Sequence, residues 1–345
     1  MRQQNITHNS HSPPKTINLQ CSTLIIWLKY ANLTRLLTYF AGKTIKLGKN
    51  INVNQDWKVG EKEPEYVWNP IGTSGKPFKG TFDGQGHTIK GIYVETDQTN
   101  AGLFGYANAC RIEKFSLKNS IFISSAKTAN MGSILGCGDA TLESVYSDAI
   151  LQSTGSMVGG LIGRTNNMQG ITTMVQCWFD GDINATSTSQ FATGGLIGSV
   201  MSGELIIDNC LFTGSITANC SGSSATLNLM IGGMIGRDNS ASATIQDSLS
   251  AGMIEISASS KGNGVGSVLG YLTNKLVVKN VYALEECYSK AIGTTNTSAN
   301  TTGTVENFAE EDIKGDKATI NMQLDFKNYW KARENDIPGL KTFCW

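Results

Sequence analysis

The pentapeptide GGLIG at Gly159–Gly163 returns unchanged at Gly194–Gly198 and as GGMIG at Gly232–Gly236. Looser copies stand at Gly102–Gly105 (GLFG), Gly132–Gly136 (GSILG) and Gly266–Gly270 (GSVLG). The closing glycines Gly105, Gly136, Gly163, Gly198, Gly236 and Gly270 lie 31, 27, 35, 38 and 34 residues apart. Self-similarity at such a period marks a repeat architecture.

A second signature runs in phase with the first. Six anchors, Phe115, Val145, Cys177, Cys210, Ser248 and Val281, each follow an apolar residue three positions back: Ile112, Leu142, Met174, Ile207, Ile245 and Val278. Six positions beyond the first five anchors stand Ile121, Leu151, Ile183, Ile216 and Ile254. Each unit thus holds about three strand-length pieces between Gly, Asn, Asp and Ser turns. One such unit cannot bury its own apolar face, whereas a stack of them can. The expected fold is all-β, a parallel β-helix (solenoid) of about six or seven coils. Helical repeats are disfavoured, because each interior Gly costs a helix about 1 kcal/mol relative to Ala. Propeller blades are the structural alternative.

Composition fits this reading. Charged residues make up only 16% of 345, and 38 glycines fill part of the gap. Lys plus Arg equals Asp plus Glu at 28 each, so no net field attracts nucleic acid. No apolar run reaches the 18 residues of a transmembrane span. The G-x-G of GTFDGQGHTIKGI (Gly80–Ile92) is followed by a β-branched stretch and not by a helix, which excludes a dinucleotide cradle. Asp83–Gly86 reads as a turn between strands Phe78–Phe82 and Thr88–Val94.

FKGTFDGQGHTIKGIYV, NAGLFGY and the recurrent GGLIG resemble bacterial surface proteins carrying GLUG repeats, over about Gly42 to Lys341. The resemblance implies a right-handed solenoid that presents a surface, in secreted adhesin-like proteins and beside peptidase domains in some immunoglobulin-A-cleaving enzymes. It supplies no catalytic motif, and no H-E-x-x-H occurs in the chain.

The ends depart from the pattern. Residues 1–21 read as a disordered tail without the order of a secretory signal. Residues 22–42, with Leu24, Trp27, Leu28, Ala31, Leu36, Leu37 and Phe40 at helical spacing, read as an N-terminal capping helix; a membrane-surface helix is the other reading. The repeats are expected over 43–286, then a mobile polar loop over 287–304 and a C-terminal cap over 305–345. Trp330 and Ile337–Leu340 would plug the far end of the stack.

Alternation along the strands directs each anchor and the residue two beyond it inward. Cys177 and Cys210 should therefore stack as core thiols, with Phe179 beside Phe212, while Cys137 should be exposed. The residue after the anchor should face out. Tyr146 and Trp178 would then stack beside Asp148 and Asp180, an aromatic and carboxylate strip suited to a sugar. The plain reading is a decorated outer wall. No catalytic set, metal site or cofactor motif is visible: His87 is isolated, and Asp180-Gly-Asp182 is too short for a calcium loop. The expected function is non-enzymatic adhesion, ligand presentation or spacing at the cell surface or outside the cell, with an extracellular glycan or host protein as partner. The alternative is a polysaccharide-acting hydrolase or lyase using Asp148 and Asp180.

Overall fold

The computed structural model describes residues 41–343 except 56, 62, 167–169, 188–190, 221–228 and 259–263, and the backbone of Thr16–Leu19. For residues 220 and 258 the backbone alone is described. The chain is an all-β, parallel-strand, β-helix-like protein. Three parallel sheets are built from successive units, and one antiparallel hairpin, Trp330–Arg333 with Asp336–Leu340, stands apart. The expected capping helix lies outside the described residues. Of the stretch read as a tail, Thr16–Leu19 forms a strand parallel to Thr44–Leu47.

The repeats stack in register. In the first sheet Ile112, Leu142, Met174, Ile207, Ile245 and Val278 form one row, preceded by Ile45 and Phe82. In the second, Val94, Phe122, Leu151, Ile183, Ile216 and Ile254 align. The phase inferred from sequence slips once: Leu151 pairs with Phe122 and not Ile121, because the first unit has one extra residue between anchor and strand. These rows, with the anchors, make the core, and nearly all of them are fully buried.

Two backbone devices shape each unit. The first is a left-handed residue immediately before every anchor: Lys114, Ser144, Gln176, Asn209, Asp247 and Asn280 have φ between 48° and 57°. In a plain strand, residues three apart point to opposite faces. The left-handed step turns the chain so that both Ile207 and Cys210, for example, point inward. Asn and Asp tolerate this conformation best among non-glycine residues.

The second device is the glycine pair. Gly132, Gly159, Gly194, Gly232 and Gly266 form one column in the third sheet. The closing glycines form another beside it. A Cβ on Gly198 would meet the Gly163 carbonyl oxygen at 2.5 Å and the Val158 backbone at 2.7 Å. The corner therefore packs main chain on main chain, and no side chain fits. Close approach of main chains explains the motif.

Three boundaries differ from expectation. Thr81–Lys90 is one strand with a bulge at Asp83–His87, so Gln85 and Gly86, both with positive φ, make a corner in place of a reverse turn. The segment read as a loop, residues 287–304, contains strands Ile292–Thr295 and Asn300–Thr302. They pair in parallel with Leu269–Leu272 and Lys275–Val277. Its Ile292-Gly293 is a further copy of the glycine signature, disguised by polar neighbours that the sheet edge leaves exposed. The C-terminal segment, finally, does not plug the end. After strand Val305–Phe308 it folds along the outer side of the first sheet, through a short helix, Asp316–Asn321, and the hairpin. Among the described residues no helix is long and apolar enough to cross a membrane.

Candidate functional site

The strip inferred from sequence is assembled as the phase requires. Tyr146 and Trp178 are register partners, with ring centroids 5.3 Å apart and planes at 87°. Edge-to-face contact of this kind is favoured by the ring quadrupoles. The Tyr146 hydroxyl donates to Asp180 Oδ2 at 3.2 Å, and Trp178 Nε1 donates to Thr213 Oγ1 at 2.7 Å. The Thr213 hydroxyl in turn bonds Asp180. Asp148 accepts the Asn119 backbone N–H at 2.9 Å. Lys118 Nζ lies 5.2 Å over the Tyr146 ring.

The strip is not open, however. Tyr146 is 8% exposed and Trp178 6%. Below them on the same outer row come Leu211, Leu249 and Tyr282, and the whole row is covered by Phe343, Trp330, Leu340 and Ile337. Phe343 sits 5.7 Å from Tyr146 and 6.5 Å from Trp178 between ring centroids. Trp330 Nε1 donates to Asn209 Oδ1 at 2.9 Å, and Thr342 Oγ1 donates to Gln176 Oε1 at 3.2 Å. The faces a sugar ring would use are taken by the protein's own C-terminal segment. The signal for this cover was in the sequence: five successive outward positions are aromatic or leucine, more apolar surface than an open wall tolerates.

The electrostatics agree. Burial raises the Asp148 carboxyl above its ordinary value, opposed by the Asn119 N–H and Lys118. Burial likewise lowers Lys118, against the pull of Asp148. Burial and then the nearby Asp180 and Asp148 raise the Tyr146 phenol. Two cavities flank the cover. One of about 400 Å³ borders Lys114, Ser144 and Phe343. The other, of about 310 Å³, borders the Trp178 edge, Asp180, Glu310, Arg333 and Asp336. In the second, Arg333 is engaged by Asp336 at 2.9 Å and by the Ile337 carbonyl at 2.7 Å.

Cys177 and Cys210 are free, fully buried thiols on adjacent units. The Leu211 N–H donates to the Cys177 carbonyl at 2.9 Å. Burial, then the neighbouring Cys177, holds the Cys210 thiol well above its ordinary range. Phe179 and Phe212 stack with centroids 6.4 Å apart and planes at 11°. Cys137 contradicts the expectation of exposure: it is 3% exposed, and burial pushes its thiol up to about 11. It sits between Tyr106 and Arg164 in register. The raised thiols of Cys210 and Cys137 are the opposite of the depressed thiol a nucleophile needs. Among the described residues no three His, Cys, Asp or Glu side chains are grouped to hold a metal ion.

No family model matches the chain. No curated protein matches it either. Among solved structures, the chain is similar to a crystal structure from Bacteroides ovatus provisionally named an immunoglobulin A1 protease. The TM-score is 0.65 at 19% identity, over 94% of this chain and 92% of that one. At that identity the likeness concerns the fold.

Proposed function

We propose that this chain is a non-enzymatic, secreted or cell-surface protein of the bacterial GLUG-repeat kind. In this reading it is a right-handed parallel β-solenoid of six or seven coils with an N-terminal capping helix. Its role is adhesion, ligand presentation or spacing, and its partner is an extracellular glycan or a host protein. The observation that carries the reading is the continuity of the rows. One residue of each unit lies on its counterpart from Ile45 to Val278, so about two thirds of the chain is spent on a regular scaffold with a long outer surface. The carboxylates of the hydrolase alternative are committed elsewhere: Asp180 accepts from Tyr146 and Thr213, and Asp148 from the Asn119 main chain. The name of the structural neighbour joins this fold to immunoglobulin A1 cleavage. Under the present reading the repeats are the presenting part of such proteins.

A glycan array probed with the purified chain, followed by a reducing-end assay on every hit, tests the proposal. Binding without release is the expected outcome. Polymer cleavage that disappears in Asp148→Asn would replace the proposal with the carbohydrate-acting alternative.

A further inference from the structure

A second outer column, on the part of the first sheet that carries the glycine signature, is partly exposed at Tyr106, Arg164, Arg237 and Tyr271. It reads Tyr106, Cys137, Arg164, Ser199, Arg237 and Tyr271, one residue per unit and in register. Beside its first three members opens a cleft of about 570 Å³. That volume lies within the range of small-molecule sites. Its far wall is the segment Pro70–Ser74, which presses on Tyr106 so closely that a Cβ on Gly72 would meet the Tyr106 carbonyl oxygen at 2.1 Å. Buried Cys137 makes the floor. Tyr106 and Arg164 stand on either side of it, two strand spacings or about 10 Å apart.

The polar groups around this space are prepared for a ligand rich in hydroxyls. Asn166 Nδ2 donates to the Tyr106 hydroxyl oxygen at 3.1 Å, which leaves the phenolic hydrogen to donate. Asn130 Nδ2 donates to Asn100 Oδ1 at 2.8 Å, fixing two amides of the rim. Among the described residues, Arg164 is the one charged residue of the lining. Among the described residues its guanidinium forms no ion pair, makes one hydrogen bond, to Asn166 Oδ1 and long at 3.4 Å, and leaves its buried Nε without a partner. The nearest carboxylate on the ladder, Asp139, is buried and accepts the Asn166 backbone N–H at 3.2 Å. A planar, under-compensated guanidinium facing a cleft is suited to bidentate contact with a carboxylate. The Tyr106 ring on the opposite side of the cleft supplies the apolar face that a pyranose needs.

We propose that this cleft is a binding site for a carboxylate-bearing saccharide, such as a uronic or sialic acid residue, with Arg164 on the carboxylate, the Tyr106 ring against the sugar face and the amides on its hydroxyls. It rests on the ligand-binding part of the function proposed above, and it moves the site from the covered strip to the partly exposed column. The test uses the full chain and three probes: glucuronate- and sialate-terminated oligosaccharides, the same compounds with the carboxyl reduced to an alcohol, and neutral glucose oligomers. Binding is read by saturation-transfer NMR and calorimetry. The acidic probes are expected to bind, the reduced ones at least about tenfold more weakly, and Arg164→Met to lose about the same factor. Tyr106→Ala, on another unit and the opposite wall, should weaken all acidic probes, and unchanged circular dichroism and melting would certify both variants as folded. Equal binding of acidic and reduced probes overturns the proposal. So does acidic binding that survives both substitutions; the presenting role then stands, with its site elsewhere. No binding of any saccharide overturns both the cleft and the glycan part of the functional reading.

Discussion

The first sheet carries apolar side chains on both of its faces, and the two faces are specified in different ways. On the inner face each residue meets its own counterpart from the next unit: Met174 lies on Ile207, and Cys177 neighbours Cys210. On the outer face Tyr146, Trp178, Leu211, Leu249 and Tyr282 meet Phe343, Trp330 and Leu340, which belong to a segment that repeats nothing. The inner contacts are written many times over in the sequence. The outer contacts are written once, in a segment that lies beyond the last repeat. Self-complementary packing announces itself by periodicity, and packing against a unique segment shows only as apolar residues where polar ones belong.

The largest expected effect tests the inner side. Gly198→Val puts a branched side chain where the main chains of Gly163 and Val158 already touch. Backbone cannot move aside as a flexible side chain can, so the cost should exceed about 4 kcal/mol. Loss of soluble, cooperatively melting protein is the readout; a well-folded variant would show that the glycine columns are ornament. The next effect concerns the cover. Trp330→Ala should cost about 3–5 kcal/mol locally. Hydrogen exchange should accelerate over the C-terminal segment, residues 309–343, while the Met174 and Ile207 strands keep their protection. Equal acceleration in both regions would erase the distinction between them.

The smallest effect is a pH dependence under the cover. Burial holds the Asp148 carboxyl above its ordinary value of 3.8, so the folded chain keeps this proton to higher pH than the unfolded chain does. Stability from this group is therefore greatest below that ordinary value and falls as pH rises through the shifted one. Asp148→Asn should melt slightly above the wild type at pH 7, with the gap closing as the pH falls toward 3.8. A variant that melts lower at every pH would mean that the Asn119 N–H bond outweighs the cost of the buried charge.

Much of the fold was legible because its rows obey alternation and period. The anchors, Ile183 over Ile216, and Cys177 beside Cys210 could be read directly. The left-handed column could not, since Lys114, Ser144, Gln176, Asn209, Asp247 and Asn280 share a backbone angle and no single side-chain type. It explains in retrospect why apolar residues three apart both face inward. Ile292–Thr302 was hidden because an edge strand needs little apolar content. For the candidate site, the neighbours of Tyr146 and Trp178 followed from register, and the apolar outer row signalled a cover, but which segment supplies it depends on contacts outside the repeat. Cys137 was misjudged: its side chain points outward but is shorter than those of Tyr106 and Arg164 on either side.

Stacked repeats ordinarily communicate only with their nearest neighbours, so their unfolding can proceed piecemeal from either end. The C-terminal segment changes that rule here. It touches Tyr146 through Phe343, Gln176 through Thr342, Asn209 through Trp330, and Tyr282 through the Gln323 N–H. One short stretch of chain thus straps together units that are not all neighbours in the stack. The middle of the stack is thereby converted from a row of semi-independent pieces into a single cooperative block, and fraying is confined to what lies beyond the strap.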